Sequence, residues 1–167
     1  MIRLEKFDKA DYHRLICWVD SEEMLMQFAG PVFKFPLTVD QLDRSLTDTN
    51  RFAFKVLEIS TNSIIGYAEI YLTGESAFLG RILIGEEKYR GKGLGGQIVN
   101  HLLNYSFIQL DQIMSEVNVF DWNIAAIKCY EKAGFMMNAG KISSRRIKDQ
   151  TWVVLNMTLD KATWEKQ

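Results

Sequence analysis

The sequence predicts an α+β fold, a single domain over residues 1–167 with a mixed, mostly antiparallel central sheet of about seven strands flanked by helices. Three observations carry this. Segments of strand-like apolar patterning interchange with segments of helical apolar spacing in the order β-α-α-β-β-β-α-β-α-β-β. The three central strands are joined by turns too short for a crossover, so they must pair antiparallel. The chain length is close to the ~150 residues of one domain, with neither repeat nor linker to divide it.

Each element has its own signal. Ile2 to Phe7 alternates apolar and polar residues and reads as a strand. Lys9 to Trp18 reads as a helix capped by Asp8, with Tyr12, Leu15, Ile16 and Val19 on one face. Ser21 opens a second helical stretch through Met24 to Phe28, stopped by Gly30-Pro31. Val32 to Leu37 is an aromatic-rich loop, and Thr38 caps a short helix through Leu42 and Leu46. Phe52 to Ile59, Ile64 to Leu72 and Ala77 to Ile84 are the three central strands, with Thr61-Asn62 as a hairpin turn. A helix runs from about Leu94 to Leu110, with Ile98, Val99, Leu102, Leu103, Phe107 and Leu110 at helical spacing. Ile113 to Val119 is a strand. Asn123 to Lys132 is a helix ended by Gly134 in the C-cap position. Phe135 to Ile142 and Thr151 to Leu159 are strands joined by a charged connection, Ser143 to Gln150.

Composition excludes several classes. A formal net charge of −1 and a pI near 6.1 give no footing for a nucleic-acid or membrane surface. No apolar run approaches the ~20 residues of a membrane span. The N-terminal MIRLEKF carries charge too early for a secretion signal, so a cytoplasmic setting is expected. Cys17 and Cys129 lack metal-ligand spacing and read as small buried hydrophobes, and no metal site is expected.

The chemistry concentrates in residues 82–96, ILIGEEKYRGKGLGG. A strand, a charged turn, four glycines (Gly91, Gly93, Gly95, Gly96) and a helix start make an anion cradle. Glycine backbone can approach a ligand closely, and the first N–H groups of a helix have no internal partner. Arg90 and Lys92 add positive charge, so a pyrophosphate is the expected ligand. Gly91-x-Gly93-x-x-Gly96 matches a dinucleotide fingerprint, which would suit a nicotinamide-dependent oxidoreductase. The context opposes it, because residues 85–90 separate the strand from the first glycine and Asp111 precedes the next strand. The nucleotide P-loop G-x-x-x-x-G-K-S/T is absent.

Arg90-Gly91-Lys92-Gly93-Leu94-Gly95 resembles the acetyl-CoA signature R/Q-x-x-G-x-G/A of the GNAT N-acetyltransferases. A second block in residues 123–135, Asn123-x-x-Ala126-x-x-x-Tyr130-Glu131-Lys132-x-Gly134-Phe135, is similar to the helix after their fifth strand. The resemblance extends over nearly the whole chain. The RLEKF start and Trp164-Glu165 are similar to the branch containing ribosomal-protein N-terminal and polyamine acetyltransferases. It implies direct acetyl transfer from acetyl-CoA, the one coenzyme expected, to a primary amine. The amine would belong to a protein N-terminus, a polyamine, an aminoglycoside or another small molecule. A non-catalytic CoA-binding protein is the alternative, and a homodimer is compatible with either.

The resemblance also implies roles. Backbone groups of Ile82, Leu83 and Ile84 would hold the pantetheine arm and the thioester carbonyl. Those of Arg90, Gly91, Lys92, Gly93, Leu94, Gly95 and Gly96 would hold the pyrophosphate, and Asn123 would add a contact while capping its helix. Tyr130 would protonate the leaving thiolate, since a phenol of ordinary pKa ≈ 10 keeps its proton at neutral pH. The base is open between Glu69, Glu116 and a water chain. The family acid usually lies five residues before the asparagine; that position is Asn118, and Glu116 is two further back on the same strand face. Glu86 and Glu87 read as loop charges, and no role is expected for His13 or His101. The acceptor pocket is expected from Met24 to Leu37 and the last hairpin, with Phe28, Phe33, Phe35 and Trp152 as candidate lining.

Overall fold

The computed structural model describes residues 1–74 and 76–167. Seven strands form one sheet: β1 (Ile2–Lys6), β2 (Arg51–Glu58), β3 (Ser63–Thr73), β4 (Ser76–Ile84), β5 (Met114–Phe120), β6 (Met136–Ile147) and β7 (Gln150–Asp160). Their spatial order is β1-β2-β3-β4-β5-β7-β6. Every neighbouring pair is antiparallel except β4 and β5. A single parallel step rules out the doubly wound sheet that binds dinucleotides, and with it the nicotinamide reading.

The helices are α1 (Tyr12–Trp18), α2 (Glu22–Ala29), α3 (Val39–Leu46), α4 (Leu94–Asn104), α5 (Ile124–Lys132) and α6 (Lys161–Trp164). The starts of α2, α3, α5 and α6 have side-chain caps. Ser21 accepts from Met24 N at 3.2 Å, Thr38 from Gln41 N at 3.4 Å, and Asp160 from Thr163 N at 2.8 Å. Asp8 caps a 3₁₀ turn that leads into α1, which splits the helix expected from Lys9.

The sheet is covered on both faces. Leu94, Ile98, Leu102 and Phe107 pack with Val56, Ile70, Leu79, Val117 and Met157 on one side. Leu15, Leu25, Phe28 and Leu42 pack with Tyr67 and Leu83 on the other. The strand alternation of β3 divides its residues accordingly, with Ala68 and Ile70 toward α4 and Tyr67 toward α1–α3.

Three expectations are corrected. Ser143 to Gln150 is no loose connection: β6 runs to Ile147, and Lys148-Asp149 turn the chain directly into β7. The stretch is largely polar because most of the hairpin tip meets solvent, with Ile147 buried and Arg145 half-buried, so charge density marked exposure and not loop. The long helix changes character at Tyr105, and Tyr105–Gln109 is a π turn. Cys17 is exposed, where burial was expected, and Cys129 is partly buried.

Candidate active site

Among the described residues β4 and β5 pair at three positions, Ser76–Met114, Ala77–Ser115 and Phe78–Glu116. Beyond Phe78 the two strands share no ladder. A cleft of about 870 Å³ opens there, bordered by Leu79–Ile84 of β4 and Asn118–Phe120 of β5. A bulge in β4 accompanies the opening. Tyr67 faces Leu83 while Glu69 faces Gly80, so β4 fits one more residue than β3 across that stretch. Arg81 absorbs the kink with a φ of 49°.

The glycine loop forms one wall. Gly91, Gly93, Gly95 and Gly96 all line the cleft. Gly91 and Gly93 have φ of 72° and 73°, and a Cβ at either would touch nothing within 4 Å. Glycine is needed there for backbone conformation and not for space. Gly93 is the N-cap of α4 and provides no side-chain cap. The first N–H groups of α4 therefore stay free, with the positive end of the helix dipole behind them.

The charged side chains of this loop behave differently from the backbone. Arg90 folds back, with Nε donating to the Ile84 carbonyl at 3.0 Å and Nη2 to the Gly85 carbonyl at 3.1 Å. It braces the root of the loop. Lys92 is exposed and lies over the Tyr89 ring, 5.8 Å from its centroid. Leu94 is buried in the core. Neither Lys92 nor Leu94 lines the cleft.

The helix α5 forms the facing wall with Ala126, Cys129 and Tyr130. Asn123 caps it, accepting from Ala126 N at 3.2 Å, and also borders the cleft. Tyr130 packs edge-on against Phe135 with centroids 5.9 Å apart. Burial pushes its phenol above the ordinary value, and neighbouring Cys129 adds to the rise. The hydroxyl therefore stays protonated far past neutral pH. Burial also raises the Cys129 thiol, partly offset by Lys132.

The two candidate glutamates are separated. Glu69 lines the cleft at 2% exposure and has both oxygens engaged. Arg51 Nη1 donates to Oε2 at 2.5 Å, Arg81 Nη1 donates to Oε1 at 2.8 Å, and the Tyr67 hydroxyl donates to Oε1 as well. Burial, with the Glu69 charge beside it, raises the Tyr67 phenol well above its usual value, so it acts there as a donor. Glu116 lies outside the cleft, in a second hollow with Asn138 and Lys141. Lys141 Nζ reaches it at 2.8 Å and Asn156 Nδ2 at 3.1 Å. Asn156 also donates to Asn118 at 3.0 Å, so the amide of Asn156 bridges Glu116 to the cleft residue Asn118.

The far end of the cleft is built by Met24 and Met26–Val32 of the α2 region, with Arg145 and Val154 from the last hairpin. Of the four aromatic candidates, Phe28 lines it. Phe33 is buried beneath Arg81, whose guanidinium carbon sits 4.4 Å from its centroid. Phe35 is exposed, and Trp152 packs on Trp122 and the cleft residue Phe120 without itself lining the cleft. His13 lies beside Cys17 on α1, and neither histidine borders the cleft. Sequence reasoning missed Arg51, Arg81 and Arg145. A signal existed for Arg81: an arginine after glycine inside the apolar run Phe78 to Ile84 suggests a bulge aimed at a polar site.

Comparison with known proteins agrees with this fold. The spermidine N-acetyltransferase of Vibrio cholerae, solved in complex with CoA and spermine, matches with a TM-score of 0.82 at 21% identity, covering 98% of each chain. The dodecameric structure of that enzyme in an intermediate state matches with a TM-score of 0.78 at 20% identity, over 98% of this chain and 95% of that one. At such identities the likeness is one of fold. The SPbeta prophage-derived uncharacterized N-acetyltransferase YokL of Bacillus subtilis (strain 168) is 30% identical over 90 residues, 53% of this chain and 50% of that protein. The match thus spans about half the length of that relative. Residues 12–135 match the Acetyltransferase (GNAT) family, and with three quarters of its length so matched this chain belongs to that family.

Proposed function

We propose that this protein is an acetyl-CoA-dependent N-acetyltransferase acting on a primary amine. The observation that carries the reading is the uncapped start of α4 at Gly93, opening into the same cleft as Tyr130. The residues present suit the coenzyme. Free N–H groups from Gly91 to Gly96 would take the pyrophosphate. The edge of β4 at Ile82, Leu83 and Ile84, unladdered on its β5 side, would take the amide-bearing arm. Asn123 would border it from α5.

The reaction requires a C–N bond to form at the acetyl carbonyl carbon, the C–S bond to break, and a proton to leave the amine. Tyr130 would hydrogen-bond the departing sulfur and pass its proton there as the bond breaks. The cleft would hold donor and acceptor in line, which lowers the entropic cost of their meeting. Glu69 already serves two guanidinium groups and a phenol, so we assign it to holding Arg51 and Arg81 in place. The proton of the amine would then leave through water at the cleft mouth. Glu116, outside the cleft, receives no part.

Millimolar acetyl-CoA should raise the melting temperature, since ligand at 100 times its Kd stabilises by about 2.7 kcal/mol. Release of free CoA should then depend on an added amine. Absence of any melting shift would sink the reading. A shift without amine-dependent CoA release would favour a non-catalytic CoA-binding protein. Self-association belongs to the same proposal: β6 is an edge strand with Met136, Met137 and Ile142 exposed, and the Vibrio cholerae enzyme is dodecameric. Sedimentation equilibrium tests it.

A further inference from the structure

We infer that the acceptor is an amine carrying a carboxylate, and that polyamines are poor acceptors. The inference rests on the acetyl-transfer reading above. It comes from the charges that line the cleft. Arg51, Arg81 and Arg145 all line it, and Glu69 is the one carboxylate in its lining among the described residues. Glu69 is already shared between Arg51 and Arg81. The lining is therefore net positive, and no carboxylate is left over to receive a second ammonium.

Two guanidinium groups have unused capacity. Arg51 is held over the Tyr71 ring, 4.6 Å from its centroid, and its Nε is buried without a hydrogen-bond partner. A buried donor left unmet is costly, and an anionic oxygen is the acceptor that suits it best. Arg145 is partly buried on β6. Its Nη1 donates to the Ser144 carbonyl at 2.8 Å and lies 3.4 Å from Ser143 Oγ. It forms no ion pair among the described residues, whereas its hairpin neighbour Lys148 is paired with Glu23. Guanidinium forks match carboxylates geometrically, so the arrangement suits a zwitterion whose amine points at the acetyl group. A polyamine would place its remaining ammonium groups against these arginines, and like charges in a partly desolvated cleft repel strongly.

The test uses the full chain with acetyl-CoA and ω-amino acids of three to six carbons. Each is paired with the alkylamine and the α,ω-diamine of equal length, alongside spermidine. The expected result is a kcat/KM at least about tenfold higher for the best amino acid than for its diamine, a typical scale for one charged contact. Arg145→Met should raise KM for that amino acid about tenfold with kcat little changed, and Arg145→Glu should shift preference toward the diamine. The melting shift with acetyl-CoA reports whether each variant is folded and binds coenzyme. Equal or better turnover of diamines or spermidine overturns the inference while keeping the acetyltransferase reading. Unchanged preference in both Arg145 variants overturns it too. Coenzyme binding without turnover of any amine, or no coenzyme binding, overturns both.

Discussion

Tyr130 and Glu69 border one cleft, yet their surroundings differ, which suits them to the different roles proposed. Tyr130 is a phenol whose pKa is raised, first by burial, so its proton is present throughout the neutral range. Tyr130→Phe should lower kcat by about 10²-fold, the lower end for a general acid, while keeping the acetyl-CoA melting shift. The deficit should be flat from pH 6 to about 9, because a raised phenol pKa lies above that window. An unchanged kcat would remove Tyr130 from the mechanism. Glu69 is a charge anchor inside a net-positive cluster. Glu69→Gln leaves Arg51 and Arg81 buried without their shared anion, and chemical denaturation should show a loss of about 3–5 kcal/mol. Wild-type stability in this variant would refute the anchoring role. The two residues also differ in how far the sequence disclosed them. Tyr130 was singled out through the resemblance of the 123–135 block to the GNAT helix, and the structure places it on the cleft wall. The partners of Glu69 were not singled out, because Arg81 reaches it only through a bulge that adds one residue to β4.

At the level of elements, the loop before α4 depends on two left-handed glycines. Gly93→Val forces a β-branched side chain to a φ near 73°. It should cost about 1–2 kcal/mol and shrink the acetyl-CoA melting shift. A full shift in this variant would mean the loop does not bind the coenzyme. The β2–β3 hairpin has a different dependence. Hydrogen bonds from Ser60 and Thr61 hold the exposed Glu58 carboxyl down at about 2. A depressed carboxylate stabilises the fold above its unfolded pKa and loses that stabilisation as pH falls through the folded value. The melting difference between wild type and Glu58→Gln should therefore shrink from pH 5 toward pH 2. A constant difference would show that the turn does not titrate. Caps and turns such as Ser21, Thr38 and Thr61-Asn62 are local features, which is why those elements could be read directly, whereas the short α6 behind Asp160 was not read. The last hairpin was misread because alternation fades where most of a ribbon is wet: residues 138–146 are exposed or half-exposed, and Ile147 is the one buried residue of the stretch 143–150.

At the level of the whole molecule, the mixed sheet with helices on both faces followed from patterning alone. Which strands part company did not. That depends on β5 inserting between β4 and β7, a choice made by tertiary packing among Val117, Met157 and α4. The sheet is in effect two leaves, β1–β4 and β5-β7-β6, stitched among the described residues by three residue pairs. Backbone groups along the parted edges have no strand to exchange with, so they exchange with solvent. An extended ligand laid between the leaves would act as a surrogate strand. Amide hydrogen exchange at residues 79–84 and 118–120 should therefore slow when acetyl-CoA is added, while β1 and the outer edge of β6 keep their rates. Slowing confined to the glycine loop would mean that the leaves stay apart. Slowing along both edges would mean that the substrate itself closes the sheet, and that the folded protein completes its secondary structure only during turnover.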